Sequence, residues 1–291
     1  GWRLPVKEYP LLVEVGAKNS SGVSQAYTAE EIKDVVAYAA ALNIEVLPEV
    51  DIPGHAAAAI AAYPELGNTD VPDWDPPLQP MSTYGVHPFT MGPSNSTLAF
   101  LDKVLDEVVG LFPAAHVHIG GDEAPKEQWR SSMQAKNVLS ESGHEEVQAF
   151  FNEKLAELLQ RRNKTMVGWD EIQHVGGLSQ DTVIMAWRSQ EELRTALRAG
   201  RRAINADQSS LYFDHYQGQQ TREPKAICCY DPLDQVYNYD PMPMGLSQQE
   251  QELLIGAQAE LWSEYFPTWE HVEYMAYPRS LAAAERFWTP N

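Results

Sequence analysis

The sequence offers little that ties distant segments together, crosses a membrane or binds nucleic acid. Only two of its 291 residues are cysteine, Cys228 and Cys229. Because they are adjacent, they cannot staple distant segments; no disulfide framework is expected and the redox compartment stays open. No apolar run approaches the ~18 residues of a membrane-spanning helix. A formal net charge of −20, without a basic patch, argues against nucleic acid as a partner.

What the sequence does contain is a repeated order of strand and then helix. A capping box at Thr28 and Glu31 starts one helix, and a terminal helix is predicted over residues 275–286. Six segments are predicted to be strands, at residues 44–47 (a buried one), 116–119, 165–168, 183–186, 203–205 and 254–261. This order indicates an α/β protein with a parallel sheet and outer helices. No Gly-rich phosphate loop follows the first strand, which disfavours a doubly wound sheet.

Aromatic rings stand at the ends of four predicted strands, where barrel enzymes place their sites. Trp187 is followed by an arginine, whereas the other three rings are followed by an acid within two residues: Trp169 by Asp170, Tyr212 by Asp214, and Trp262 by Glu264. Sugars have apolar faces and polar edges, so flat rings and carboxylates together suit a sugar site. One such tryptophan is more often a packing residue beneath a loop, but four favour a shared pocket.

The adjacent acids Asp122 and Glu123 follow two glycines at the end of a predicted strand. Glycines let the backbone turn sharply there, so both carboxyl groups can reach one pocket. A protonated glutamic acid beside an ionised aspartate suits general-acid cleavage of a glycosidic bond. An isolated Asp-Glu pair, by contrast, is usually the first turn of a helix.

The hexapeptide at residues 118–123, His-Ile-Gly-Gly-Asp-Glu, resembles the signature of glycoside hydrolase family 20, the β-N-acetylhexosaminidases. Further segments resemble the family's motifs in the family's order and cover nearly the whole chain: Gly1-Trp2-Arg3, then residues 48–55, 168–171, 186–187, 212–214 and 261–264. The resemblance implies a TIM (β/α)8-type barrel. About six β/α units of it fit this sequence, as a single catalytic domain over residues 1–291.

The resemblance also implies chemistry for individual residues. Glu123 is expected to protonate the leaving oxygen and then to activate water, while the substrate's own 2-acetamido oxygen is the nucleophile. Asp122 is expected to orient the acetamido group and stabilise the oxazolinium charge, and Tyr212 to donate a hydrogen bond to the acetamido oxygen. The aromatic wall of the pocket is expected to consist of Trp169, Trp187 and Trp262. The outer hydroxyls of the sugar are expected to be bound by Asp214 and Glu264, and Glu123 to be supported by His55. For His55 the alternative is a histidine that packs a loop. No cofactor and no metal is implied.

The family's pattern has two further barrel strands ahead of the Gly1-Trp2-Arg3 segment, and the first supplies an arginine for sugar hydroxyls. Neither strand is in this sequence. Three explanations stay open: the strands lie on a second fragment, a homo-oligomer fills the gap, or the barrel is shortened. An incomplete barrel would expose hydrophobic edges.

The resemblance favours a retaining exo-β-N-acetylhexosaminidase that removes terminal β-linked N-acetylglucosamine or N-acetylgalactosamine from glycans or chitin oligomers. An alternative is an N-acetylhexosamine-binding protein without turnover, because the strand that carries the arginine is absent. A third is release of a disaccharide, which Asp214 and Glu264 disfavour because groups that grip the outer hydroxyls leave no space beyond them. Localisation stays open, with a secreted, periplasmic or lysosome-like protein favoured.

Overall fold

A computed structural model describes residues 1–289. These residues form two compact units, Gly1–Thr182 and the part from Val183 onward. Both units combine parallel strands with helices, which confirms the predicted α/β class. Among the described residues, no helix has the length and apolarity that crossing a bilayer requires.

The first unit contains two strands and seven α-helices. The strands are β1 (His116–His118) and β2 (Thr165–Trp169), which pair in parallel. The helices are α1 (Leu11–Glu14), α2 (Ala29–Ala41), α3 (Ala57–Ala62), α4 (Asn95–Leu111), α5 (Glu127–Ser131), α6 (Met133–Ser142) and α7 (Val147–Gln160). Two short 3-10 helices, Pro64–Leu66 and Asp170–His174, complete the unit.

Helix boundaries in this unit follow the sequence patterns closely. The capping box at Thr28 forms, with both Thr28 and Glu31 bonded to the other's backbone N–H. Ser94 caps α4, whose apolar positions at helical spacing are buried and include Leu101 and Val108. Helix α7 packs on β2 and on α4, so the apolar helix faces fix the strands from outside.

The strand predicted at residues 44–47 is wrong. Ile44 is 56% exposed, and pairing with β1 begins only at Pro48, whose carbonyl accepts from His118 N at 2.9 Å. Val50 N then donates to His118 O, and Glu49 is the bridge residue opposite His118. Prolines lack the N–H that a β-ladder needs. The segment that pairs with β1 lies between Pro48 and Pro53 and is therefore too short to be a strand.

The second unit contains three parallel strands in the order β3 (Val183–Ala186), β4 (Ala203–Asn205) and β5 (Leu254–Ala257). Its helices are α8 (Gln190–Arg198), α9 (Leu233–Asn238), α10 (Gln248–Gln251), α11 (Trp269–Ala276) and α12 (Arg279–Trp288), with a 3-10 helix at Gln220–Arg222. Helix α8 packs on β3 and β4. Beyond β5, Tyr212 and Glu260 form one further parallel bridge.

The single terminal helix predicted over residues 275–286 is wrong, because α11 ends at Ala276 and α12 begins at Arg279. Pro278 causes the break, since a proline disfavours helical geometry in the preceding residue, and Tyr277 has φ −107° and ψ 143°. The single catalytic domain and the completion of the barrel by a second copy or fragment stay predictions.

Candidate active site

The turn that follows β1 carries Asp122 and Glu123. Gly120 has φ +65° and Gly121 φ +95°, and a Cβ on Gly120 would collide with the Asp51 carboxylate. Gly121 N donates to Asp51 Oδ1 at 3.1 Å. The two glycines thus let the backbone pass against Asp51 and bring the next two side chains to the carboxyl end of β1.

His55 lies between the two adjacent acids. Its Nε2 atom is 3.3 Å from Asp122 Oδ2 and 3.3 Å from Glu123 Oε2. Hydrogen bonds to Asp122 and then to Glu123 raise the pKa of His55 to about 11, against the opposing effect of burial. The imidazole is therefore a cation at neutral pH and holds the two carboxyl groups together.

A third carboxyl group, Asp51, lies in the same cluster. Burial, and after it the charge of Asp122, raise the pKa of Asp51 well above its ordinary value. Asp122 Oδ1 is buried and has no hydrogen-bond partner among residues 1–289. The neutral form of Asp51 is therefore favoured beside Asp122, and one oxygen of Asp122 is available to a ligand.

Trp169 ends β2 and is buried. Its Nε1 atom donates to Glu49 Oε1 at 2.9 Å. Its ring meets the buried His118 ring edge-on, with centroids 4.8 Å apart. The first unit therefore contains four of the residues predicted from the sequence. Asp122, Glu123 and His55 form one cluster, and Trp169 lies at the end of the adjacent strand.

In the second unit, Tyr212 and Asp214 follow β4. The Tyr212 ring stacks on Trp187 with centroids 6.0 Å apart and 26° between the planes. Asp214 is buried, and its Oδ1 atom has no hydrogen-bond partner among the described residues. Burial raises the pKa of Asp214 to about 6, with a smaller contribution from the charge of Glu264. Trp262 is 37% exposed.

A buried polar network holds the Tyr212–Asp214 segment through hydrogen bonds to its backbone. Asp231 Oδ2 accepts from Tyr212 N at 3.3 Å and lies 3.2 Å from His215 Nδ1. Arg279 is fully buried and donates to four backbone carbonyls, those of Phe213, His215, Asp231 and Met275. Buried polar groups that are paired in this way hold one conformation, so the network positions both predicted site residues.

Several of these supporting residues were not predicted. Glu49 lies within the segment paired with β1 and Asp51 directly follows it, so the rule that acids at strand ends mark a site applies to them too. Gln148, whose side chain donates to Gly121 O at 2.5 Å, and Arg279 lie on helices far away in the chain. No local sequence pattern indicates such contacts.

Two side-chain groups among residues 1–289 have metal-ligand spacing. In one of them, His215 lies near Cys228 and Cys229, but the two sulfurs are joined in a disulfide. In the other, ligand atoms of Asp51, His55 and Asp122 lie within 4.8 Å of one another. In this second group, His55 Nε2 is the atom that pairs with Asp122 Oδ2 and with Glu123 Oε2.

Acids beside aromatic rings at the ends of parallel strands, in both units, are the features of an α/β glycosidase. The comparisons agree with this class: residues 1–291 match the glycosyl hydrolase family 20 catalytic domain. The chain belongs to this family.

Similar proteins are named as hexosaminidases. A β-hexosaminidase of Porphyromonas gingivalis is 40% identical over 99% of this chain and 38% of its own length. A solved β-N-acetylhexosaminidase has a TM-score of 0.88 and 31% identity, over all of this chain and 63% of that one. An exo-β-N-acetylglucosaminidase from Vibrio harveyi in complex with N-acetylglucosamine has a TM-score of 0.84 and 31% identity, over all of this chain and 48% of that one. This likeness confirms the predicted barrel class, although the chain spans less than two thirds of each relative.

Proposed function

We propose that this protein is a retaining exo-β-N-acetylhexosaminidase, which removes terminal β-linked N-acetylglucosamine or N-acetylgalactosamine by substrate-assisted catalysis. The observation that carries the proposal is the pairing of His55 with both Asp122 and Glu123 at 3.3 Å. An acid pair that shares one cation supplies two carboxyl groups with different tasks at one place.

In the proposed reaction, Glu123 donates a proton to the glycosidic oxygen as the bond to the leaving group breaks. The acetamido oxygen of the same sugar attacks the anomeric carbon and forms a cyclic oxazolinium ion. Glu123 then removes a proton from water, which opens the ring with overall retention. The nucleophile is held within the substrate, so its alignment contributes effective molarity.

Asp122 is proposed to orient the acetamido group and to stabilise the positive charge of the intermediate. Its Oδ1 atom is buried and has no hydrogen-bond partner in the described part of the chain. This supports the role, because a fixed carboxylate stabilises a developing cation strongly where water is excluded. Tyr212 is proposed to donate a hydrogen bond to the acetamido oxygen, and Trp169, Trp187 and Trp262 to enclose the acetamide and the sugar ring.

Asp214 and Glu264 are proposed to bind the outer hydroxyls of the terminal sugar. Asp214 Oδ1 is buried and no residue from 1 to 289 forms a hydrogen bond with it, which is the condition in which a carboxylate gains most from a hydroxyl donor. Carboxylates that close one end of the pocket leave room for one sugar, which supports exo rather than disaccharide-releasing action.

The test compares an aryl N-acetyl-β-glucosaminide with the matching aryl β-glucoside, which has a hydroxyl in place of the acetamide. Turnover of the first alone is expected, and equal rates on both would refute substrate assistance. Proton NMR of the first-formed product should show the β-anomer. Calorimetric binding of N-acetylglucosamine without any product release would assign a sugar-binding role instead.

A further inference from the structure

One carboxylate oxygen of Glu49 contacts two buried rings. Oε1 accepts a hydrogen bond from Trp169 Nε1 at 2.9 Å and lies 3.1 Å from His118 Nδ1. Glu49 reaches both because its backbone pairs directly with His118 on β1, next to the strand that ends in Trp169. A single side chain therefore links two neighbouring strand ends.

The two rings also constrain each other. His118 and Trp169 are both almost fully buried, and they meet edge-to-face at 64° with centroids 4.8 Å apart. A buried indole N–H that loses its acceptor costs about 1–3 kcal/mol, so the Glu49 contact selects one orientation of the indole.

The contact with His118 extends this link to the catalytic turn. Gly120 N lies 3.0 Å from His118 Nδ1 and can donate to it. One ring nitrogen cannot accept from Gly120 and donate to Glu49 at the same time. Nε2 of His118 is buried without a partner among residues 1–289, so a proton has a good acceptor only when it is on Nδ1, which faces Glu49. Glu49 and the backbone N–H of Gly120 therefore compete for Nδ1 of His118. The charge on Glu49 decides which of the two contacts forms, and Gly120 belongs to the turn that precedes Asp122 and Glu123.

We propose that Glu49 is a positioning residue that sets the orientation of Trp169 and, through His118, of the turn bearing Asp122 and Glu123. The proposal rests on the proposed function, in which Trp169 encloses the acetamide. Glu49 does not itself contact the sugar. Its effect falls on the alignment of the acetamido oxygen with the anomeric carbon.

The experiment uses Glu49→Gln, which preserves shape and can keep an oxygen near Trp169 while removing the charge. Glu45→Gln is the matched control, because Glu45 lies four residues earlier and its carboxylate accepts from the backbone of Ala115 outside the site. Protein labelled with ¹⁵N in its tryptophan indoles gives one N–H resonance per tryptophan, and Trp169→Phe identifies that of Trp169. Thermal melts establish that the variants are folded.

In Glu49→Gln, the Trp169 indole resonance should move upfield, since a neutral amide oxygen accepts less strongly than a carboxylate. The kcat on the N-acetyl substrate should fall about ten- to hundredfold with a smaller change in KM, because misalignment near the reacting atoms affects mainly the transition state. Glu45→Gln should match the wild type in both respects.

An unmoved Trp169 resonance, or a moved resonance with kcat within about twofold of wild type, would overturn the positioning role. Failure of the proposed function looks different, because the wild type itself would then release no product. In that case the dissociation constant for N-acetylglucosamine replaces kcat. Weaker binding in Glu49→Gln but not in Glu45→Gln would support the role, and equal binding would overturn it.

Discussion

His55 and Glu123 face each other from two turns with the same uncommon backbone conformation. Their φ angles are 47° and 46°, and His55 Nε2 lies 3.3 Å from Glu123 Oε2. A non-glycine residue in this region costs about 1–3 kcal/mol, and it persists only where the surroundings impose it. The contact of His55 with Glu123, together with that to Asp122, joins the two turns.

The first prediction concerns the pH dependence of stability. The pKa of His55 is about 11 in the folded protein, above the ordinary 6.5. The pairing therefore stabilises the fold fully below about pH 6.5, and its contribution is lost as the pH rises towards 11. Replacing His55 with asparagine, which tolerates positive φ, should remove this part of the pH dependence.

The measurement is the free energy of unfolding in urea from pH 6.5 to pH 9.5. His87→Gln is the control, because the His87 ring contacts a backbone carbonyl, that of Thr83, in an exposed loop. The wild type and the control should lose more stability over this range than His55→Asn. Parallel curves for all three proteins would contradict the pairing.

The second prediction concerns Glu123 as the general acid. Glu123→Gln should reduce kcat on substrates with poor leaving groups by about 10²–10⁴-fold, the usual contribution of general acid–base catalysis. Aryl leaving groups of low pKa need less protonation. The reduction in the rate of glycosidic bond cleavage caused by Glu123→Gln should therefore become smaller as the leaving group improves. A Brønsted series of aryl N-acetyl-β-glucosaminides measures this trend.

Glu127→Gln provides the control for Glu123→Gln, since Glu127 is exposed and pairs with Arg130 on the same helix, α5. It should leave every rate unchanged. If Glu123→Gln slowed all leaving groups equally, Glu123 would have another role than proton donation.

The fold class and the acids and rings at strand ends could be predicted from the sequence, whereas two elements of the fold could not. The acids and rings were predicted because the carboxyl end of a parallel strand is a local feature: a short apolar run followed by Asp122-Glu123 or by Trp169. The failed elements depend on non-local facts. Residues 44–47 have a strand-like pattern, but whether they pair depends on where β1 lies and on the missing N–H groups of Pro48 and Pro53.

Contacts across the fold were beyond prediction for the same physical reason. Glu49 and Trp169 are 120 residues apart, and Arg279 reaches the carbonyl of Phe213 from 66 residues away. The first pair forms because neighbouring strand ends meet within the first unit, and the second because α12 packs against the Phe213 segment within the second unit. Pro278, in contrast, was a local signal of a helix break, and the apolar periodicity on either side of it concealed the break.

The third prediction concerns Asp214, whose pKa is raised to about 6 by burial. An ionised Asp214 accepts hydroxyl hydrogen bonds, so KM should rise by up to about tenfold per pH unit as the pH falls below 6. Asp214→Asn should weaken binding by about ten- to hundredfold, the worth of a hydrogen bond to a charged group, and should abolish this acidic limb. Asp234→Asn, an exposed acid on α9, is the control.

The raised pKa of Asp214 also makes the stability of the fold depend on pH, in the opposite direction to substrate binding. The folded pKa of Asp214 lies above the ordinary 3.8, so ionisation penalises the folded state, and stability falls as the pH rises from about 4 to 6. Asp214→Asn should therefore be more stable than the wild type at pH 7, by up to about 3 kcal/mol. Identical unfolding free energies at pH 7 would show that Asp214 is not desolvated.

The fourth prediction concerns the close approach of Gly120 to Asp51. Gly120→Ala combines a positive φ with a Cβ that meets the Asp51 carboxylate and its backbone. Gly143→Ala is a matched control, because Gly143 has a similar φ of 75° at the end of α6 and no atom of the described residues lies within 4 Å of its Cβ position. The control should cost about 1 kcal/mol in unfolding free energy for conformation alone. Gly120→Ala should cost about 1–3 kcal/mol more and should lower kcat at least tenfold, since the displaced turn carries Asp122 and Glu123. Equal costs at the two glycines, with full activity in both variants, would mean that the turn after β1 tolerates movement and does not hold the acid pair in place.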